Sequence, residues 1–220
     1  MTNPKTFYRR NLPHYQPPEG TFHVVFRLAG SLPAEVIERL RAERISEERF
    51  LSGINDQRQL KHAWTDHHEE YFEKFDELLD DSQTGPRWLC EPPVAEVISE
   101  AISHRDGKVY DLLAYCVMPN HVHTVLTVGQ QDGSPYKGRR PSSTELADIL
   151  ENLKWYTALN CNRILGRGGQ FWQHESYDHL IRNGEELERT IWYVLNNPVR
   201  GGLTDSWENW KWKYVKLGLL

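Results

Sequence analysis

The hydrophobic pattern of the chain changes period along its length, and the changes mark its elements. Residues 21–28, Thr-Phe-His-Val-Val-Phe-Arg-Leu, read as a strand. Residues 35–44 return to helical spacing, with Ser31 and Pro33 marking a start. In residues 66–81, Phe72, Phe75, Leu78 and Leu79 form a narrow apolar stripe in a strongly acidic stretch, as in a solvated helix or hairpin. Residues 93–104 predict a helix that buries Val94, Val97, Ile98 and Ile102. Residues 109–118 read as a strand. Pro119-Asn120 turns the chain, and the alternating run His121 to Val128, rich in Val, Leu and Thr, reads as a second strand beside it.

The second half predicts two longer helices. One spans about 144–164, with Ser142 and Ser143 as available caps. A short extended segment over 171–181 follows. The last helix runs over 185–197, capped by Asn183 with Glu186 in the capping-box position, and Pro198 stops it. Residues 1–20 are proline-rich and predict an extended arm; residues 204–220 form an aromatic tail that packs on the body. The sum is α+β: an antiparallel sheet with helices on its faces.

Composition narrows this picture modestly. At 220 residues, 39% hydrophobic, the chain suffices for one domain, or one domain with an insertion. It lacks a bilayer-spanning apolar run and a signal-peptide pattern, which predicts a cytoplasmic protein without a membrane partner. Cys90, Cys116 and Cys161 lack metal-type spacing and read as reduced and buried. A net charge of −5 argues against non-specific coating of nucleic acid but leaves room for a local basic groove. Residues 130–141 hold one small basic cluster, Lys137, Arg139 and Arg140.

The candidate chemistry begins at His121 and His123. Side chains two apart on a strand share a face, so their ring nitrogens can be aimed at one divalent ion. On the last helix, Arg189, Tyr193 and Asn197 recur at i, i+4, i+8 as a polar stripe. If this stripe borders the histidine strand, it supplies a phenol and an amide oxygen, and Asn197 becomes a third ligand suited to a hard cation. A tyrosine hydroxyl so placed can attack a phosphodiester and hold the cut strand as a phosphotyrosine ester. Forming phenolate at pH 7 from a phenol of pKa about 10 costs roughly 4 kcal/mol, which a nearby cation or base must offset in part.

Met118-Pro-Asn-His-Val-His123 resembles the histidine–hydrophobic–histidine motif of HUH endonucleases. Phe171-Trp-Gln-His-Glu-Ser-Tyr-Asp-His-Leu-Ile-Arg182 and Tyr193-Val-Leu-Asn-Asn-Pro-Val-Arg-Gly-Gly-Leu203 resemble blocks of the IS200-like single-tyrosine (Y1) transposases. The look is closest to the REP-associated tyrosine transposases, and Tyr8-Arg-Arg10 is similar to their basic N-terminal arm. Residues 35–85 fall outside the likeness and look like an acidic, mostly helical insertion.

The resemblance implies a ferredoxin-like sheet carrying the two histidines and a single-stranded DNA nuclease and strand transferase using Mg²⁺ or Mn²⁺. It implies hairpin DNA as partner and a monomer or homodimer. Tyr193 matches the family's nucleophile, His121 and His123 its ligand pair, and Asn197 the position completing the metal site. Tyr177, flanked by Asp178 and His179, is the rival nucleophile, or else shapes the site or contacts DNA. Arg9, Arg10, Lys154, His179, Arg182 and Arg189 are candidate DNA-binding or supporting residues, and Trp155 or Trp172 candidate base-stacking rings. Two other classes fit parts of the pattern: a hairpin-binding protein that has lost cleavage, and a metallohydrolase acting on a small substrate through metal-bound water.

Overall fold

The structure, a computed structural model, describes residues 7–9, 13–15, 17, 19–51, 53, 56–81, 84–129 and 146–219. Its elements are β1 (Phe7–Arg9), β2 (Pro13–Tyr15), β3 (Gly20–Arg27), α1 (Ala34–Leu51), α2 (Gln57–Asp80), α3 (Pro92–Ser103), β4 (Asp111–Val117), β5 (His121–Val128), α4 (Leu146–Ile164), β6 (Tyr177–Ile181), α5 (Gly184–Arg200) and β7 (Lys213–Val215). The chain divides into two compact units, residues 30–86 and the remainder.

The larger unit is built on a five-stranded antiparallel sheet in the order β6-β3-β5-β4-β7. Counting β3, β4, β5 and β6 as one to four gives the order 4-1-3-2 of a β-α-β-β-α-β ferredoxin-like core, with β7 added at an edge. The alternation of β3 explains why it sits inside this sheet: Phe22, Val24, Phe26 and Leu28 are buried on one face. There they meet Val94, Ile98 and Ile102 of α3 and Ile149, Leu150 and Leu153 of α4. The opposite face is covered by α5, whose Ile191, Val194 and Leu195 pack on Ala114, Cys116, Val125 and Ile181. Leu187, Ile191, Val194 and Leu195 recur at helical spacing, which gives α5 one apolar stripe and so one face to bury.

Several expectations shift. The arm contains a paired element: β1 and β2 lie antiparallel, with Tyr8 opposite His14. The aromatic tail does pack on the body, but it also adds β7, which pairs with β4. Three residues are too few to show a period. Pro198 does not stop α5, which continues to Arg200. A proline two residues before the last helical residue forfeits one hydrogen bond, and its burial here offsets part of that loss. Cys116 and Cys161 are buried, and burial pushes the Cys161 thiol up to about 12; Cys90 is exposed, contrary to expectation. The basic cluster over 130–141 and the caps Ser142 and Ser143 lie outside the described residues.

The smaller unit contains α1 and α2. Leu40 and Leu51 of α1 and Phe72 and Leu79 of α2 are buried. Lys74 of α2 pairs with Glu43 of α1, and the Arg44 guanidinium lies 5.8 Å from the Tyr71 ring centroid. Among the described residues, no helix is long and apolar enough to cross a membrane.

Candidate active site

β5 is the middle strand, paired with β3 on one side and β4 on the other. Its alternation therefore separates two interiors: Val122, Leu126 and Val128 face the α3–α4 side, as does Thr124 between them, while His121, His123 and Val125 lie on the α5 side. His121 and His123 are on the α5 side and both are fully buried, so they are not a surface pair. Their Nε2 atoms are 2.9 Å apart, with the rings nearly perpendicular.

Each histidine is also held at its other nitrogen. The turn residue Asn120 places its Oδ1 2.6 Å from His121 Nδ1, and its backbone carbonyl accepts from Leu28 N–H at 2.8 Å. His123 Nδ1 lies 3.2 Å from His23 Nε2, and these two rings are near-parallel, meeting edge to edge with centroids 5.4 Å apart. Two ligand nitrogens about 2.1 Å from one cation, at right angles to each other, would lie roughly 3.0 Å apart. The observed separation thus suits either an N–H···N bond or a shared ion, and orienting partners on both Nδ1 atoms are what a ligand pair needs.

β3 brings more polar groups to the same face. In register, His23 stands opposite Val125 and His179, Val25 opposite His123 and Tyr177, and Arg27 opposite His121. His23 and Arg27 are buried. Above them, the half-buried Tyr193 ring meets His23 and His123 edge-on, at centroid distances of 6.1 and 6.0 Å. The Arg200 guanidinium lies over that ring, 4.6 Å from its centroid. Asn197 follows one turn after Tyr193 and is fully buried; Arg189, one turn before, is exposed.

The supporting candidates form a second cluster at the start of α5. Asn183 caps the helix by accepting from Glu186 N–H at 2.9 Å. The Glu186 carboxylate does not close the reciprocal capping box. It accepts from the Arg182 backbone N–H at 2.7 Å and from the Arg182 guanidinium, and lies 2.7 Å from His179 Nε2. Burial alone would raise the Glu186 pKa, but the hydrogen bonds from Arg182 and His179 outweigh it and bring the carboxyl down to about 2. Lys154 of α4 donates to the His174 carbonyl at 2.9 Å and to Ser176 Oγ at 3.1 Å, tying down the segment that leads into β6. Tyr177 is buried on the α5 side of β6. Trp172 cannot offer its face to a base: it is buried against Phe26 and Phe171, and its indole N–H donates to Thr157. Trp155 is exposed. Arg9 lies in β1, but its side chain and all of Arg10 fall outside the described residues.

Sequence alone assigned His23 and Arg200 no site role, and Asn120 only a place in the turn before the histidine strand. One signal for His23 was present: Thr21, His23 and Arg27 alternate with Phe22, Val24 and Phe26, so β3 has a polar face. Asn120 lay inside the histidine motif itself, and Arg200 comes seven residues after Tyr193, on the same side of the helix.

No family model matches the chain. A protein of Haemophilus influenzae, described as a REP-associated tyrosine transposase, is 26% identical over 101 residues, 46% of this chain. The chain spans 56% of that curated relative's length. A solved structure of a REP-associated tyrosine transposase bound to a REP hairpin matches over 97% of this chain and 82% of that one, at 15% identity and a TM-score of 0.46. The chain is similar to REP-associated tyrosine transposases, the group its histidine, Trp-Gln and Tyr-Asn blocks resemble.

Proposed function

We propose that this protein is a metal-dependent tyrosine transposase: a single-stranded DNA endonuclease and strand transferase that cuts beside DNA hairpins. The observation behind this reading is the convergence of the His121 and His123 Nε2 atoms, 2.9 Å apart, with the Tyr193 ring edge-on to His123. The ordered sequence blocks and the named relative support the DNA substrate.

His121 and His123 would hold the ion, Mg²⁺ or Mn²⁺, with Asn197 as the proposed third protein ligand. The bound cation would polarise the scissile phosphate and stabilise the charge that develops on it. The Tyr193 hydroxyl attacks phosphorus and loses its proton; the bond from phosphorus to the 3′-oxygen breaks, and that oxygen takes up a proton. The 5′-phosphate remains on Tyr193 as an ester, so the energy of the broken bond is conserved and a second 3′-hydroxyl can reverse the reaction onto a new end. Arg200, stacked over the phenol, favours the anionic oxygen that this attack requires. Glu186 holds His179 and Arg182 together at the start of the helix that carries the nucleophile.

Incubation with hairpin oligonucleotides and Mn²⁺ tests the reading. A covalent protein–DNA adduct is expected from the wild type and none from Tyr193→Phe. Hairpin binding without adduct from the wild type would indicate a binding protein that does not cut. Hydrolysis that survives Tyr193→Phe would indicate attack by metal-bound water.

A further inference from the structure

We infer that His23 is a positioning residue for the proposed metal site: it lets His123 exchange its ring proton between nitrogens so that Nε2 is free to ligate. The inference rests on the reading of His121 and His123 as ligands.

Hydrogen-bond roles follow the polarity of each partner. Asn120 Oδ1 is an acceptor, so His121 carries its proton on Nδ1 and its Nε2 is unprotonated. Without a cation, the 2.9 Å Nε2···Nε2 contact is satisfied when His123 donates from Nε2 to His121. His123 Nδ1 is then an acceptor, and His23 donates to it from Nε2 across 3.2 Å. A cation held by both Nε2 atoms requires the other tautomer of His123, with its proton on Nδ1. The same 3.2 Å contact must then run in reverse, from His123 to His23 Nε2.

Only a partner able to both give and accept satisfies both states. A backbone carbonyl or a carboxylate would lock His123 in the ligand tautomer. An ammonium would lock it out. Imidazole serves either role by moving its own proton to the far nitrogen. The near-parallel, edge-to-edge arrangement of His23 and His123 and the burial of both rings hold the contact while the roles change. His23 also touches the Tyr193 ring, so the same side chain buttresses ligand and nucleophile.

The test uses the full chain and Mn²⁺ alone, without DNA. Wild type, His23→Leu and His23→Gln are titrated with Mn²⁺ and followed by electron paramagnetic resonance, with thermal unfolding measured alongside. Loss of an orienting partner costs about 10- to 100-fold in metal affinity. His23→Leu is therefore expected to bind Mn²⁺ that much more weakly. His23→Gln, whose amide has both a donor and an acceptor, is expected to recover most of the affinity even where its melting temperature stays as low as that of His23→Leu. Nitrogen-15 spectra of the wild type with diamagnetic Mg²⁺ should show the His123 proton moving from Nε2 to Nδ1. Wild type that binds Mn²⁺ beside a His23→Leu of equal affinity overturns the inference alone. So does a glutamine variant as weak as the leucine variant, or a His123 tautomer that Mg²⁺ leaves unchanged. Wild type that takes up no Mn²⁺ overturns the metal site and the inference together.

Discussion

At Glu186, burial and hydrogen bonding pull in opposite directions, and the hydrogen bonds win. Its folded pKa of about 2 lies below the ordinary 4.5, so its ionised form stabilises the fold. That contribution is fully present above pH 4.5 and fades as the pH falls towards 2. It amounts to at most about 3 kcal/mol, less to the extent that water screens the exposed Arg182. Glu186→Gln should therefore lower stability at pH 7, and the gap to wild type should narrow between pH 4.5 and 2; denaturant unfolding at several pH values measures it. Arg200 acts at the nucleophile instead. Arg200→Gln removes the cation from the Tyr193 ring, and adduct formation should slow about tenfold, the worth of 1–2 kcal/mol. Single-turnover kinetics read this, with the melting temperature little changed because Arg200 is exposed. Residue identity was legible where spacing was short. His121 and His123 lie two apart and declare a shared face. His23 is 100 residues from its partner His123, and a lone strand histidine gives no such cue.

At the scale of elements, β5 and α5 divide the work. β5 is rigid because it is the middle strand, and it fixes where the imidazoles point. α5 is fixed by one apolar stripe and a capped start, and it brings Tyr193 over the histidines. Asn183→Ala removes the cap and should cost about 1 kcal/mol in thermal or denaturant unfolding. Mn²⁺ affinity should stay within about twofold, because His121 and His123 sit on β5 and the proposed third ligand, Asn197, lies near the far end of α5 from the cap. Both elements were visible in the sequence through their periods, two for β5 and about 3.6 for α5. The helix end was not. Proline is a strong local breaker, but Pro198 is buried, and packing overrode the local preference. The Glu186 position was recognised as part of a cap, while its bonds to His179 and Arg182 depend on how β6 meets α5.

At the scale of the molecule, the α+β class followed from which segments alternate and which do not, whereas the ferredoxin-like core was an expectation from the family resemblance. The fifth strand followed from neither, since β7 exists only because β4 offers it an edge. β7 then forms the edge itself, and a strand of three residues is a poor template for pairing with another chain. Truncation after Leu203 removes β7 together with Trp207, Trp210, Val215 and Leu219 from the core beneath α5. It should destabilise the larger unit by several kcal/mol and drive aggregation, as size-exclusion chromatography and thermal melts would show. The central claim concerns one atom of this assembly, the Tyr193 hydroxyl. Its most direct test is to digest the covalent adduct formed with a hairpin oligonucleotide and Mn²⁺, and to identify by mass spectrometry the peptide that retains DNA. The account predicts a 5′-phosphate ester on Tyr193. An ester on Tyr177, or on any other side chain, would contradict it.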